Sequence, residues 1–130
     1  APYGSAALVA DRCRACLSMG AGVLIAEHRG EAIGFAAWRQ DEMVGVVDVH
    51  AVRPDRQEWG VGVALLSALM EGLRAEGIRL LEATLPESFQ EARRLYEAQG
   101  FREIDRSARP EGQEQAVVWV RYEKRFKAMT

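Results

Sequence analysis

The alternation of apolar and polar positions predicts most of the secondary structure of the chain. The segments GVLIAEHRG and EAIGFAAWRQ, which meet at Arg29 and Gly30, predict two strands of a hairpin. The Val-rich segment 43–52 predicts a third strand. Pro54 ends that strand, because proline has no backbone N–H to donate to a ladder.

Leucines at four-residue steps then predict a helix over 60–76, which Gly77 ends. The segment 78–85 predicts a fourth strand, and a second helix follows over 86–99. Segments 101–108 and 115–126 predict a final pair of strands, joined by a polar linker at 109–115.

The segment 5–19 predicts a helix at the start of the chain, capped by Ser5 and ended by Gly20. Cys13 and Cys16 fall on its apolar face, so we expect small core-facing side chains. The C-R-A-C spacing also suits a redox pair or half of a zinc site, although the sequence has no second cysteine pair. Reduced thiols favour a cytoplasmic location.

The order of elements predicts the α+β class: a mixed, largely antiparallel sheet with flanking helices, in a single domain over 1–130. The third strand, the crossover helix and the fourth strand form a β-α-β unit. The two strands of that unit are expected to be parallel.

Composition and charge limit the partners that we expect. The chain has 130 residues, of which 48% are apolar and 28% charged, with a net charge of -2. This balance excludes a broad basic surface for nucleic acid or anionic lipid. The apolar runs are too short to span a bilayer, and no signal peptide is visible. We therefore expect no nucleic-acid partner and no membrane partner.

The stretch RPDRQEWGVG at 53–62 is the strongest candidate for binding chemistry. The N-terminus of a helix offers free amides and the positive end of the helix dipole, and bare glycine backbone lets a ligand approach. Arg53 and Arg56 add charge, so the stretch suits an anion such as phosphate. The alternative is a solvated basic loop in which Gly60 and Gly62 serve a tight turn. Neither a P-loop nor the G-x-G-x-x-G fingerprint is present, since Leu65 stands at the third glycine position.

Three motifs resemble the GNAT acetyltransferase superfamily. The VRP segment at 52–54, followed by QEWGVGVALL at 57–66, resembles the acetyl-CoA signature of that family. The segment ARRLYEAQGF at 92–101 and the hairpin segment GEAIGF at 30–35 resemble two further family motifs. The matches lie in the family's order and cover about residues 20–126.

The resemblance implies a GNAT-like acyl-CoA acyltransferase fold and acetyl-CoA as cosubstrate, with no metal. The acetyl group would pass directly to a primary amine of a small molecule or peptide. Backbone amides of 57–64 would hold the pyrophosphate, and the pantetheine arm would lie between the third and fourth strands. The implied cofactor residues are Val52, Arg53, Gln57, Glu58, Trp59, Gly60, Val61, Gly62, Val63, Ala64 and Ser88.

Other functions remain open beside this one. One alternative is a non-catalytic coenzyme A-binding or regulatory module with the same fold. Another is transfer to a hydroxyl group, or transfer from a longer acyl-CoA. A globular domain without a cofactor is the fourth reading.

The resemblance also implies catalytic roles. Tyr96 matches the tyrosine that protonates the leaving thiolate, although a buried aromatic packed on the sheet is the alternative. Asp48 and His50 lie two apart on the third strand, so we expect them to share a face. Asp48 is the first candidate for the base that deprotonates the amine, His50 the second and Glu82 the third. As alternatives, His50 would be a hydrogen-bonded structural residue, and Asp48 would bind a cationic substrate or neighbouring backbone.

The chain also departs from the family's pattern. Glu58 and Trp59 stand where small or basic residues are usual, and Phe89 stands where the family often has Asn, so that Ser88 would substitute for it. The family's first strand is not evident. A missing edge strand exposes the ladder of the next strand and favours a homodimer.

Overall fold

The computed structural model describes residues 12–111 and 115–127. These residues form a seven-stranded sheet and two α-helices. The strands are β1 (Arg12–Ser18), β2 (Ala21–His28), β3 (Glu31–Asp41), β4 (Val44–Val52), β5 (Leu80–Pro86), β6 (Arg102–Glu111) and β7 (Gln115–Arg125). The helices are α1 (Val61–Ala75) and α2 (Gln90–Ala98), and a 3-10 helix, Pro54–Trp59, precedes α1.

The strands lie in the order β1-β2-β3-β4-β5-β7-β6. All neighbours are antiparallel except β4 and β5, which are parallel and joined through α1. This architecture confirms the α+β class and the parallel pair of the β-α-β unit.

The core lies between α1 and the sheet, as the leucine spacing predicts. Val61, Leu65, Leu69 and Leu73 are all fully buried, and α1 packs against β2, β3 and β4. Burying side chains of this size contributes roughly 1.5–3 kcal/mol each. Gly34 of β3 permits the close approach, because a Cβ there would lie 3.1 Å from the Val61 side chain. The core therefore fixes where α1 begins, next to the end of β4.

The prediction for the start of the chain is wrong over residues 12–18, and its remaining part, 5–11, lies outside the described residues. Arg12–Ser18 is strand β1, which pairs along its whole length with β2. Cys16 and Leu17 are exposed, so the core-facing side chain expected for Cys16 is wrong. The side chain of Cys13 lies outside the described residues.

Two further predictions are corrected by the same sheet. The edge of β2 is covered by β1, so a first strand is present and an exposed β2 edge no longer argues for a homodimer. The linker predicted at 109–115 is shorter, because β6 continues to Glu111 and β7 starts at Gln115. Both ends extend because each residue gains a cross-strand partner, as in the pair Glu111 and Gln115.

Candidate active site

A cleft opens where β4 and β5 separate. The two strands pair only from Val44 with Leu80 to Val47 with Ala83. Beyond Ala83, β5 continues to Pro86 paired with β7 alone. The cavity at this separation has a volume of about 520 Å³. The predicted splay between these strands is therefore present.

A β-bulge in β4 lies at the point of separation. Val47 pairs with Trp38 and Val49 pairs with Ala37, so Asp48 is the extra residue. An extra residue shifts the alternation of side chains by one. Val47 before the bulge lies in the core, and His50 after it contacts both helices. The bulge thus turns His50 towards the helices and the cleft.

The first turn of α1 forms one wall of the cleft. The Ala64 amide donates to the Gly60 carbonyl at 3.0 Å and starts the helical ladder. The preceding amides of Val61, Gly62 and Val63 have no carbonyl partner within α1. Gly60 has φ +78°, and a Cβ there would meet nothing within 4 Å. This turn combines bare backbone, free amides and the positive end of the helix dipole, which suits an anion.

The structure brings many of the predicted site residues to one cavity. The lining residues are His50, Ala51, Val52, Gly60, Gly62, Val63, Ser88, Phe89, Gln90, Glu91, Ala92, Leu95 and Tyr96. The side chain of Val61 is instead fully buried in the core and does not line the cavity. The side chains of Gln57, Glu58 and Trp59 lie outside the described residues, although their backbone forms the 3-10 helix before Gly60.

The far wall of the cleft contains residues to which the sequence motifs give no binding role. Phe89, Gln90, Glu91, Ala92 and Leu95 come from the start of α2. Phe89 is more than half exposed although it is a large apolar residue. The predicted helix over 86–99, beginning beside Ser88, was the signal that could have found them.

Arg53 does not reach the cleft. Its guanidinium binds Asp55 through Nε at 3.1 Å and Nη2 at 2.9 Å, and it binds Glu31 through Nη1 at 2.9 Å. The hydrogen bonds from Glu31 and Asp55 raise the pKa of Arg53. Arg56 also contacts Asp55, at 3.3 Å. Carboxylates therefore offset much of the basic charge that the sequence places in this stretch.

Tyr96 and His50 form the chemical centre of the cleft. The Tyr96 side chain is almost fully buried and packs edge-on against Phe101, with ring centroids 4.9 Å apart. Its hydroxyl lies 3.1 Å from Nδ1 of His50. Nε2 of His50 lies 2.9 Å from the carbonyl oxygen of Gly62 in α1. His50 therefore links the tyrosine of α2 to the first turn of α1.

Burial shifts the pKa of both groups in the direction of the neutral form. Desolvation lowers the pKa of His50 from its usual 6.5, and the hydrogen bond to Gly62 offsets part of this. Desolvation raises the pKa of Tyr96 above its usual 10. Both side chains are therefore neutral at pH 7.

Asp48 and Glu82, the other two candidates for the base, lie elsewhere. Oδ1 of Asp48 accepts a hydrogen bond from Nε of Arg39 at 3.0 Å, and neither residue lines the cleft. The expectation that Asp48 and His50 share a face is wrong, because the bulge lies at Asp48. Glu82 sits in the paired part of β5, with Nη1 of Arg121 3.8 Å from its Oε1.

The described residues contain neither a candidate metal site nor a candidate membrane span. No group of three or more His, Cys, Asp or Glu side chains in 12–111 and 115–127 is placed to hold a metal ion. No helix in the same ranges is long and apolar enough to cross a membrane.

Structural comparison finds solved structures with the same fold. The ribosomal-protein-S18-alanine N-acetyltransferase from Escherichia coli matches with a TM-score of 0.80 and 21% identity, over 98% of this chain and 90% of that one. The ribosomal-protein-alanine N-acetyltransferase from Brucella melitensis matches with a TM-score of 0.72 and 25% identity, over 83% and 70%. A GNAT family acetyltransferase from Elizabethkingia anophelis with acetyl-CoA bound matches at 0.72 and 18%, over 83% and 78%.

Sequence comparison identifies the family. No curated protein sequence matches the chain significantly. The family model described as the acetyltransferase (GNAT) domain matches residues 19–103, which include β2 to α2, the cleft and both motifs that flank it. The match covers more than half of the chain, and it includes the strand separation and the helix N-terminus that form the cleft. This chain therefore belongs to the GNAT acetyltransferase family.

Proposed function

We propose that the protein is an acetyl-CoA-dependent N-acetyltransferase that moves the acetyl group directly to a primary amine. The observation that carries this proposal is one cavity of about 520 Å³ lined by both the start of α1 and Tyr96. The first feature suits a pyrophosphate and the second is a proton donor, so cofactor binding and leaving-group chemistry meet in one place.

The residues present fit acetyl-CoA. Gly60 and Gly62 leave the backbone bare at the first turn of α1, where the amides would bind the pyrophosphate. Val52, Val63 and Leu95 give the cleft apolar walls for the pantetheine arm. A Cβ at Gly62 would lie 3.4 Å from Leu95 and 3.6 Å from Val52, so a larger residue would narrow this passage.

The proposed reaction begins with a neutral amine, which attacks the thioester carbonyl carbon. An alkylammonium has a pKa of about 10, so it loses one proton before the attack. The C–N bond forms, the tetrahedral intermediate collapses, and the C–S bond breaks. Tyr96 donates a proton to the departing sulfur, and the amide nitrogen loses its remaining excess proton to water. Tyr96 is reprotonated before the next turnover.

The acceptor is an amine of a peptide or of a small molecule. Two of the structural neighbours are named as acetyltransferases of ribosomal-protein alanine. This supports a short peptide with an N-terminal alanine as the first acceptor to test. A polyamine such as spermidine is the matching small-molecule acceptor.

Calorimetric titration followed by a thiol-release assay tests the proposal. We expect the protein to bind acetyl-CoA and to release coenzyme A faster when the alanine peptide or spermidine is added. Binding without amine-dependent release, across a panel of amines, would favour a non-catalytic coenzyme A-binding module. Absence of binding would contradict both functions.

Other parts of the hypothesis stay predictions. They are a single domain over 1–130, a cytoplasmic location, a homodimer, and a reaction without a metal. Sedimentation over a range of concentrations decides the homodimer, since a monomer mass throughout would exclude it.

A further inference from the structure

The tautomer of His50 follows from its two hydrogen bonds. Nε2 lies 2.9 Å from the Gly62 carbonyl oxygen, which can only accept. Nε2 must therefore carry the hydrogen. In a neutral imidazole the other nitrogen is then an acceptor. The backbone of α1 thus leaves Nδ1 of His50 with a free lone pair.

The direction of the Tyr96 proton follows from that tautomer. The hydroxyl lies 3.1 Å from Nδ1, so the O–H of Tyr96 donates to His50. Its hydrogen points towards His50, and the lone pairs of the oxygen remain for a donor in the cleft. Before the reaction, Tyr96 is therefore arranged to accept a hydrogen bond from an ammonium group as well as to donate one.

We propose that His50 is a positioning residue that holds a proton for the reaction and exchanges it through the hydroxyl of Tyr96. This inference rests on the proposed function and extends it, because it assigns both the removal of the amine proton and its delivery to sulfur to one pair of residues. Neither Asp48 nor Glu82 is required.

The proton balance is as follows. The ammonium gives a proton to the oxygen of Tyr96, whose own hydrogen moves to Nδ1 of His50 and leaves an imidazolium bonded to Gly62. The neutral amine attacks and the C–S bond breaks. Nδ1–H then returns its proton to the oxygen of Tyr96, and the Tyr96 hydrogen moves to the thiolate. His50 ends neutral, as it began, and the amide nitrogen gives its last excess proton to water.

The shifted acidities explain why Tyr96 needs His50. A thiol has a pKa near 8.5, whereas burial raises the pKa of Tyr96 above 10, so Tyr96 alone holds its proton more tightly than the thiolate does. Burial lowers the pKa of His50 below 6.5, so its imidazolium gives up a proton to a thiolate readily. Transfer from the imidazolium through Tyr96 to sulfur therefore runs downhill. The earlier uptake of a proton from an alkylammonium, whose pKa is about 10, runs uphill, and attack by the neutral amine draws it forward.

Among the side chains that the structure describes, few other charged or titratable groups lie near the pair. On α2, Glu91 lines the same cleft and Arg93 donates to the hydroxyl of Tyr122 at 3.0 Å. Tyr122 on β7 is fully buried beside Tyr96, with ring centroids 6.4 Å apart. The neighbouring strand β3 places Ala36 opposite His50, and α1 contributes the Gly62 carbonyl. Among these groups, His50 is the one hydrogen-bonded to the hydroxyl of Tyr96.

A double-mutant cycle tests the proposal, with spermidine and the alanine peptide as acceptors. His50→Gln and Tyr96→Phe should each lower kcat about 100-fold or more, the range of general acid–base catalysis, with acetyl-CoA affinity within about 3-fold. The double variant should be no slower than the slower single variant, because His50 acts through Tyr96. Multiplied losses would overturn the proposal, and so would an unchanged kcat in His50→Gln.

The pH dependence of kcat/KM distinguishes proton exchange by His50 from a purely structural role of this residue. His50 must be neutral to take up a proton, so kcat/KM should fall as the pH drops through the lowered pKa of His50, below 6.5. His50→Gln should lack this acidic limb. His28→Gln is the matched control, since His28 is the other histidine of the chain, and it should keep the limb. An acidic limb that persists in His50→Gln would contradict the proposal.

A third measurement needs neither an acceptor nor a variant. Nitrogen NMR of the imidazole side chains at pH 7 should find His50 with its hydrogen on Nε2. A hydrogen on Nδ1, or a protonated ring, would overturn the proposal whatever the acceptor is. If the wild type fails to bind acetyl-CoA in the calorimeter, the proposed function fails separately.

Discussion

The two halves of strand β4 share the neighbour β3 on one side and differ on the other side, where only the first half pairs with β5. From Val44 to Val47 the strand lies between β3 and β5 and is part of a continuous sheet. From Asp48 to Val52 it keeps β3 but loses β5, and the cleft takes the place of the missing ladder. The single extra residue at the bulge marks the boundary.

This contrast shows how one strand serves both stability and chemistry. Val47 of the paired half is a core residue, and its partner Trp38 is 4% exposed. His50 of the separated half is bonded to the helix start and to Tyr96. Changes near the paired half should therefore alter the free energy of unfolding, and changes near the separated half should alter binding and turnover.

The largest contrast is expected between two buried tyrosines. Tyr96→Phe removes the hydroxyl that faces the cleft, so turnover should fall about 100-fold or more while acetyl-CoA affinity changes little. Tyr122→Phe is the matched control, because Tyr122 is equally buried and pairs with Ala83 in the closed half of the β4–β5 pair. Steady-state kinetics and calorimetry measure both. Equal losses in the two variants would show that the hydroxyl of Tyr96 has no special role.

The next contrast uses two glycines with the same backbone conformation. Gly60 has φ +78° and Gly30 has φ +79°, and a Cβ at either would meet nothing within 4 Å. Valine is strained at positive φ, so both variants should lose stability by about 1–3 kcal/mol. We expect Gly60→Val alone to weaken acetyl-CoA binding, by about 10-fold or more, because its side chain would enter the path of the pyrophosphate.

Calorimetry on the two folded variants measures the difference between Gly60→Val and Gly30→Val, and thermal unfolding checks that their stabilities match. Equal affinity in both would show that the start of α1 does not bind the cofactor.

The paired half is tested by Gly22→Ala. A Cβ at Gly22 would overlap the Trp38 ring, which is held in the core beside Val47. Overpacking of this kind costs about 1–3 kcal/mol. Chemical denaturation should show that loss, and calorimetry should find acetyl-CoA affinity unchanged in the folded variant. A larger effect on affinity than on stability would contradict the separation of the two halves.

The smallest effect is expected at Asp48→Asn. The ion pair with Arg39 is exposed, and such pairs contribute about 0–1 kcal/mol. Turnover should stay within about 3-fold of the wild type, because the carboxylate does not line the cleft. A loss comparable to that of Tyr96→Phe would identify Asp48 as the base and overturn the role given to His50.

The spacing of apolar residues along the chain predicted the elements whose conformation depends mainly on neighbouring residues. The spacing of Leu65, Leu69 and Leu73 predicted a helix over 60–76, and α1 spans Val61–Ala75. The helix predicted over 5–19 is wrong at Arg12–Ser18, because a few apolar positions give a weak helical periodicity and pairing with β2 decides the conformation of this segment.

The same limit applies to the candidate site. The motifs located the start of α1 and Tyr96, both of which line the cleft. They could not locate the bulge at Asp48, since register depends on the partner strand. Likewise, the pairing of Arg53 with Glu31 depends on the antiparallel pair of β3 and β4, which brings together residues 22 positions apart.

Calorimetric titration of the wild-type protein with acetyl-CoA, coenzyme A and dephospho-coenzyme A tests the central claim most directly. We expect acetyl-CoA to bind in the micromolar range, which corresponds to a binding free energy of about −8 kcal/mol. Absence of binding at millimolar acetyl-CoA, with the protein shown to be folded, would contradict the assignment of the cleft between β4 and β5 as an acetyl-CoA site.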